Sequence, residues 1–149
     1  MSVVLVLKLV HILSAITALG SNVTYAYWLR AAGTDRSRLV FAIEGVRRID
    51  RTFANPAYVL LLLTGVGMVA TGGYDVTRGW LATAIGLYVL TAVLGGAVYA
   101  PTIRRQLAEA ERDPASAAYR AVAARSTFLG VLTIANDVVI VALMVLKPF

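Results

Sequence analysis

The sequence predicts an all-α fold: a four-helix transmembrane bundle with cytoplasmic helical extensions. Three observations give that class. Four runs, at about residues 3–29, 56–72, 79–103 and 126–147, approach or exceed the roughly 20 apolar residues a helix needs to cross hydrocarbon. The 149-residue chain is 59% hydrophobic and 15% charged, with mean hydropathy +0.76, whereas a soluble domain carries about 25% charged residues. The charges gather in basic clusters between the runs, which is how connectors at a membrane surface look. One domain, residues 1–149, accounts for the length.

The first run, about residues 3–29, lacks a basic leader and continues past any small-residue cleavage site. It reads as a retained span and not as a signal peptide. His11, Ser14, Ala18, Ser21 and Tyr25 recur at steps of three and four, so they share one face. Ser14, Ala18 and Asn22 form a small-residue row that admits a close neighbour. Tyr25, Tyr27 and Trp28 fall where aromatic rings prefer the headgroup level.

The connector from Arg30 to Ala54 opens with a turn at Gly33-Thr34. Leu39, Ile43, Val46, Ile49 and Phe53 then recur at helical spacing, with Arg36, Glu44, Arg47, Arg48 and Arg51 mostly on other faces. This predicts an amphipathic helix lying on the membrane surface or projecting from it. Asn55-Pro56 reads as an N-cap followed by the first position of a new helix. Thr71-Gly72-Gly73-Tyr74-Asp75 reads as a tight turn, so spans two and three are expected to be antiparallel neighbours. In span three, Gly86, Gly95 and Gly96 thin the surface, Ala92, Gly96 and Ala100 make a second small-residue row, and Pro101 predicts a kink. The helix should continue to Arg112, aided by an Arg105–Glu109 pair. Asp113-Pro114 repeats the cap-then-proline signal, and the new helix from Ala115 feeds span four.

Of the fourteen Lys and Arg, only Lys8, Arg78 and Lys147 lie outside the two large connectors. The positive-inside rule then places both termini outside and both basic connectors in the cytoplasm. The lipid bilayer is the expected partner, with a homo-oligomer or a larger membrane complex beside it. Nucleic acid is not expected despite the net charge of +6, because the charges fall in two clusters between apolar runs, the pattern of membrane connectors.

The last span, STFLGVLTIANDVVIVALMVLK, carries Asn136 and Asp137 near its middle. A carboxylate there is costly and must face a protein interior or a watery cavity. Ser126, Gly130, Thr133 and Asp137 share a face. The candidate buried polar site is therefore His11, Ser14, Thr133, Asn136 and Asp137. It can be read as a packing lock that fixes helix register, or as a proton-carrying site, with Ser14 bridging His11 to Asp137 as a pH-responsive pair.

There is no Cys, which excludes disulfides, thiolate nucleophiles and cysteine metal sites. The glycines of LTGVGMV lie inside a span and read as packing residues, not a phosphate cradle. Asp50 with Arg51 reads as a surface ion pair. Met68, Met144 and His11 offer soft ligands to copper(I), without clustered spacing. No nucleophile–base pair or paired carboxylates appear, so neither enzymatic activity nor a cofactor is expected.

The segments LKLVHILSAITALGSNVTYAYWLRA, RRIDRTFANPAYVLLLLTGVGMV and DVVIVALMVLKP resemble an uncharacterised family of bacterial four-span integral membrane proteins. The resemblance covers most of the chain. A more distant similarity, carried by His11 following Lys8 early in a span, is to the membrane domain of copper-resistance protein D. The residues themselves support three functional expectations: an accessory or assembly protein of the bacterial plasma membrane, since polar groups are few and packing signals many; a small oligomeric transporter, proton-coupled through Asp137; or a redox or copper-handling protein using His11.

Overall fold

The computed structural model describes residues 2–72 and 74–148, and among these there is no strand. Four long helices follow one another: α1 (Val3–Ala31), α2 (Arg36–Gly72), α3 (Gly79–Arg112) and α4 (Ala117–Leu146). Gly73 of the expected turn lies outside the described residues.

Local chemistry sets the ends. The Ser2 hydroxyl accepts from the Leu5 amide at 3.4 Å to start α1. Gly33, at φ +63°, takes the left-handed conformation that ends the first turn. Asp35 then caps α2 by accepting from the Arg38 amide at 2.9 Å. Asp75 holds the next connection by accepting from the amide and hydroxyl of Thr77. Asp113 proves to be the stop of α3 and not the cap of α4: its side chain accepts from the Ala115 amide, and Ser116 caps α4 by accepting from the Tyr119 amide at 3.0 Å. The four-residue link needs that extra turn before helical geometry can resume. Glu109 lies 4.0 Å from Arg112, and this replaces the expected pairing with Arg105.

Two features depart from the expected pattern and share one cause. Helix α2 does not restart at Asn55-Pro56. It runs through a π turn at Asp50–Ala54, in which the Asn55 amide bonds to the Asp50 carbonyl. Asn55 is itself helical, so it is no cap. Helix α3 does the same at Leu94–Tyr99, where the Ala100 amide bonds to the Gly95 carbonyl just before Pro101. A proline lacks the amide and its ring crowds the carbonyl four residues back. Widening the preceding turn by one residue relieves both problems and lets the helix continue. The disturbance expected at Pro101 therefore takes the form of a wide turn.

The core changes character along the bundle. In the apolar part, most buried residues are small or polar, among them Ser14, Ala18, Ala57, Thr64, Ala84, Thr91, Asn136 and Asp137, with Trp80, Leu81 and Leu129 as large exceptions. Large side chains such as Leu9, Ile16, Leu63, Val89, Val131 and Val145 point outward. Outward apolar surface on that scale calls for lipid as its solvent, and small residues let helix backbones approach where lipid supplies no hydrophobic driving force. Beyond this part, the first turns of α2, the end of α3 and the start of α4 form an extension with a conventional core. Ile43, Ile103, Leu107 and Ala110 pack there with Leu29, Val40, Tyr99 and Tyr119. The amphipathic connector thus projects as part of the bundle, with Leu39, Ile43 and Val46 buried and Phe53 exposed.

Helix α1 packs along α2 and also against α4, and α4 packs along α3. Among the described residues, the apolar parts of α2 and α3 do not pack backbone to backbone, contrary to the expectation of neighbouring spans. The rings of Tyr58 and Tyr88 stand in that gap, with centroids 6.5 Å apart. They are too large for close helix approach. The row Ala92, Gly96 and Ala100 is likewise not used inside the bundle: Ala92 and Gly96 are exposed, and an added Cβ at Gly96 would meet nothing. The glycines of LTGVGMV do pack, since a Cβ at Gly65 would lie 3.5 Å from the His11 ring and one at Gly67 3.1 Å from Leu7.

Candidate functional site

Asp137, 7% exposed on α4, receives one hydrogen bond from each of the other three helices. The Tyr58 hydroxyl of α2 donates to Oδ2 at 2.6 Å. Asn22 of α1 donates from Nδ2 to the same oxygen at 3.4 Å. The Thr91 hydroxyl of α3 donates to Oδ1 at 3.0 Å. A second tier steadies these donors. Asn22 Nδ2 also donates to the Tyr58 hydroxyl at 2.8 Å. Asn136 Nδ2 donates to the Thr91 hydroxyl at 2.7 Å and to the Leu87 carbonyl at 2.9 Å. The Tyr88 hydroxyl donates to the Tyr58 carbonyl at 2.7 Å.

The direction of these bonds is informative. Tyr58 accepts from Asn22 and passes its own hydrogen to Asp137, and Thr91 accepts from Asn136 and does the same. One Asn136 hydrogen and the Tyr88 hydroxyl go to backbone carbonyls, but all three bonds that reach the carboxyl group donate to it. That suits an ionised carboxylate, which only accepts, and the 2.6 Å bond has the length of a charge-assisted one. The knot can do two things chemically. It can hold four helices at one level, and its hydroxyls can relay a proton.

His11 belongs elsewhere. Its Nδ1 lies 2.8 Å from the Thr64 hydroxyl. That hydroxyl gives its hydrogen to the Leu60 carbonyl at 2.6 Å. Nδ1 must then carry the hydrogen and donate, leaving the lone pair on Nε2. The expected His11–Asp137 pair does not form. The α1 residue facing Asp137 is Asn22, about 16 Å along the axis from His11 at 1.5 Å per residue. Ser14 is buried one turn from His11. Thr133 donates to the Leu129 carbonyl of its own helix at 2.9 Å. Of the five candidate residues, only Asn136 and Asp137 share one network.

The residues that sequence reasoning missed are Tyr58, Thr91 and the role of Asn22. Asn22 and Thr91 are polar groups well inside apolar runs, and that depth was the available signal; Tyr58 stands third in its run and carried no such signal. Asp50 is a further correction. It forms no pair with Arg51. It accepts from the Tyr25 hydroxyl and from Asn55 Nδ2, both at 3.3 Å. Tyr25 is consequently buried and absent from the aromatic belt. The wide turn at Asp50–Ala54 carries Asp50 inward, toward α1.

Four apolar helices, large side chains turned outward and a small, polar interior define a polytopic α-helical membrane protein. The chain belongs to the DUF2269 family, described as a predicted integral membrane protein, whose family model matches residues 5–148. No curated protein and no solved structure matches it.

Proposed function

We propose that this protein is a non-enzymatic accessory or assembly component of the bacterial plasma membrane, in which Asp137 locks the packing of the four helices. The observation that carries the reading is the shell of Asp137. One donor from each neighbouring helix fills it, and those bonds tie the carboxylate to a fixed position. A homo-oligomer or a larger membrane complex is the setting for such a role. Both termini face outside and both basic connectors face the cytoplasm in this reading, supported by the distribution of Lys and Arg. The second reading, a small oligomeric proton-coupled transporter, is favoured by the Tyr58 hydroxyl at 2.6 Å from Asp137, a route by which a proton could reach the carboxylate.

Reconstituted vesicles separate the two. Wild type and Asp137→Asn should show the same proton permeability under an imposed pH gradient, and both should insert. A proton flux in the wild type that Asp137→Asn abolishes would replace the lock with the transporter. Orientation is tested by single-cysteine labelling, for which a chain without Cys is well suited. A cysteine at Ser37 should be shielded from an impermeant reagent in intact cells and one at Val76 should react. The reverse pattern overturns the assignment.

A further inference from the structure

The extension is divided by charge. Its packed layer of Ile43, Ile103, Leu107 and Ala110, with Leu29 and Tyr119, joins all four helices and so fixes one level of the bundle. Arginines flank that layer on every helix: Arg30 beside Leu29, Arg47 and Arg48 one turn beyond Ile43, Arg104 and Arg105 beside Ile103, and Arg120 beside Tyr119. All are exposed except Arg47, which is half-buried. Among the described residues, the one ion pair is Glu109–Arg112, so none of these six has a carboxylate partner.

Among the described residues, the acids of the extension form no ion pair with these six arginines. Asp50 points inward to Tyr25 and Asn55. Asp35 and Asp113 are engaged as caps of turns. Glu44 and Glu111, which follow Ile43 and Ala110 of the layer, border a recess with Asp35 and Phe41, and neither is within ion-pair distance of an arginine of the layer.

Two independent markers put the arginine layer at the headgroup level. Tyr27 and Trp28, both exposed, sit on the same turn of α1 as Arg30, and such rings favour the interface. Lys8, near the other end of α1, lies about 33 Å from Arg30 at 1.5 Å per residue, close to the roughly 30 Å of a hydrocarbon core.

We infer that this arginine collar is a binding site for anionic phospholipid headgroups, gripping their phosphates where the four helices leave the bilayer. Arg is suited to the task, because its planar fork meets phosphate oxygens two at a time. The collar draws on all four helices, so bound lipid spans the junctions between them. An acidic protein would instead need a continuous face, and the collar is divided among helices and interleaved with aromatic rings. The site is separate from the Asp137 knot and stands whichever role that knot has.

The test uses the full chain in mixed micelles of phosphatidylcholine and phosphatidylglycerol, read by native mass spectrometry. The expected result is selective retention of phosphatidylglycerol. Arg47→Gln, Arg48→Gln and Arg104→Gln combined should lower that retention at least about tenfold, since each cation at an anionic surface shifts partitioning by about fivefold. The control variant Arg36→Gln with Arg38→Gln, which removes two charges at the distal tip, should retain lipid like the wild type. A helical melt confirms that each variant is folded. Equal retention of the two lipids by the wild type, or equal losses from collar and tip variants, would overturn the proposal. So would retention of an acidic soluble protein in place of phosphatidylglycerol.

Discussion

Replacing Asp137 with Leu should unfold the protein more easily than replacing it with Asn, by a margin set by the bonds each change removes. Interhelical hydrogen bonds in membranes average about 0.6 kcal/mol and reach about 1.7. Asp137 accepts three, from Asn22, Tyr58 and Thr91. Removing all three costs about 2 kcal/mol at the average and about 5 at the maximum. Leu fills similar space and leaves the Tyr58 and Thr91 hydroxyls without their acceptor, so about 3 kcal/mol is expected. Asn keeps one oxygen, which can serve Tyr58 and Asn22. Its amide then faces Thr91, whose second lone pair is free because Asn136 occupies only one. About one bond is lost, or roughly 1 kcal/mol. The assay is reversible unfolding in mixed micelles by titration with a denaturing detergent, followed by helical circular dichroism. Tyr58→Phe should fall between the two, and its effect should largely vanish in the Asp137→Leu background, because both remove the same bond. A Leu variant within about 0.5 kcal/mol of wild type, the range of an ordinary surface change, would refute the lock. So would an Asn variant as weak as the Leu variant.

Three further outcomes follow from other parts of the molecule. Ile43→Ala opens a hole in the extension at a residue that is 0% exposed, so it should cost about 2–5 kcal/mol, with faster hydrogen exchange confined to that extension; a uniform effect along the bundle would contradict its separate core. Ser116→Ala removes the cap of α4 and should lower stability by about 1 kcal/mol, while Asp113→Ala should cost less when measured in the same unfolding assay. Asp35 and Asp75 are held below the usual carboxylate range, each chiefly by a side-chain hydrogen bond, from Ser37 and Thr77 respectively, and then by backbone amides. Their stabilisation is therefore complete above the unfolded carboxylate value of about 3.9 and is lost as pH falls through the lower folded values. Acid melting should become less steep in Asp35→Asn with Asp75→Asn; an unchanged acid limb would show that these turns do not contribute.

The four spans were legible because lipid imposes a simple rule on length and polarity, and Asp137 stood out because it breaks that rule. Its partners were not legible. Tyr58 and Thr91 are single polar residues in apolar runs, and depth along a helix says nothing about the direction a side chain faces. His11 illustrates this: its distance from Asp137 along the membrane could be counted, but its neighbour Thr64 depends on how α1 and α2 pack. Asn55-Pro56 and Asp113-Pro114 carry the same cap-then-proline wording. The first lies within a continuous helix and the second precedes a real start, because a wide turn can absorb a proline only where the helix on both sides is held by packing. Asp50 was misread for the same reason. Its partner Tyr25 comes within reach only once that turn has displaced it.

The placing of the two π turns has a mechanical consequence. Both lie on the extension's side of Asp137, the first beside Tyr25 of α1 and the second beginning one turn past Thr91. Helices α2 and α3 are thus compliant there, whereas α4 crosses the same region as an uninterrupted rod from Ala117 to Leu146. A load placed on the arginine-bearing head would bend the first two at their joints and be borne chiefly by the third, which two-thirds of the way along holds the acidic residue to which the other three are tied.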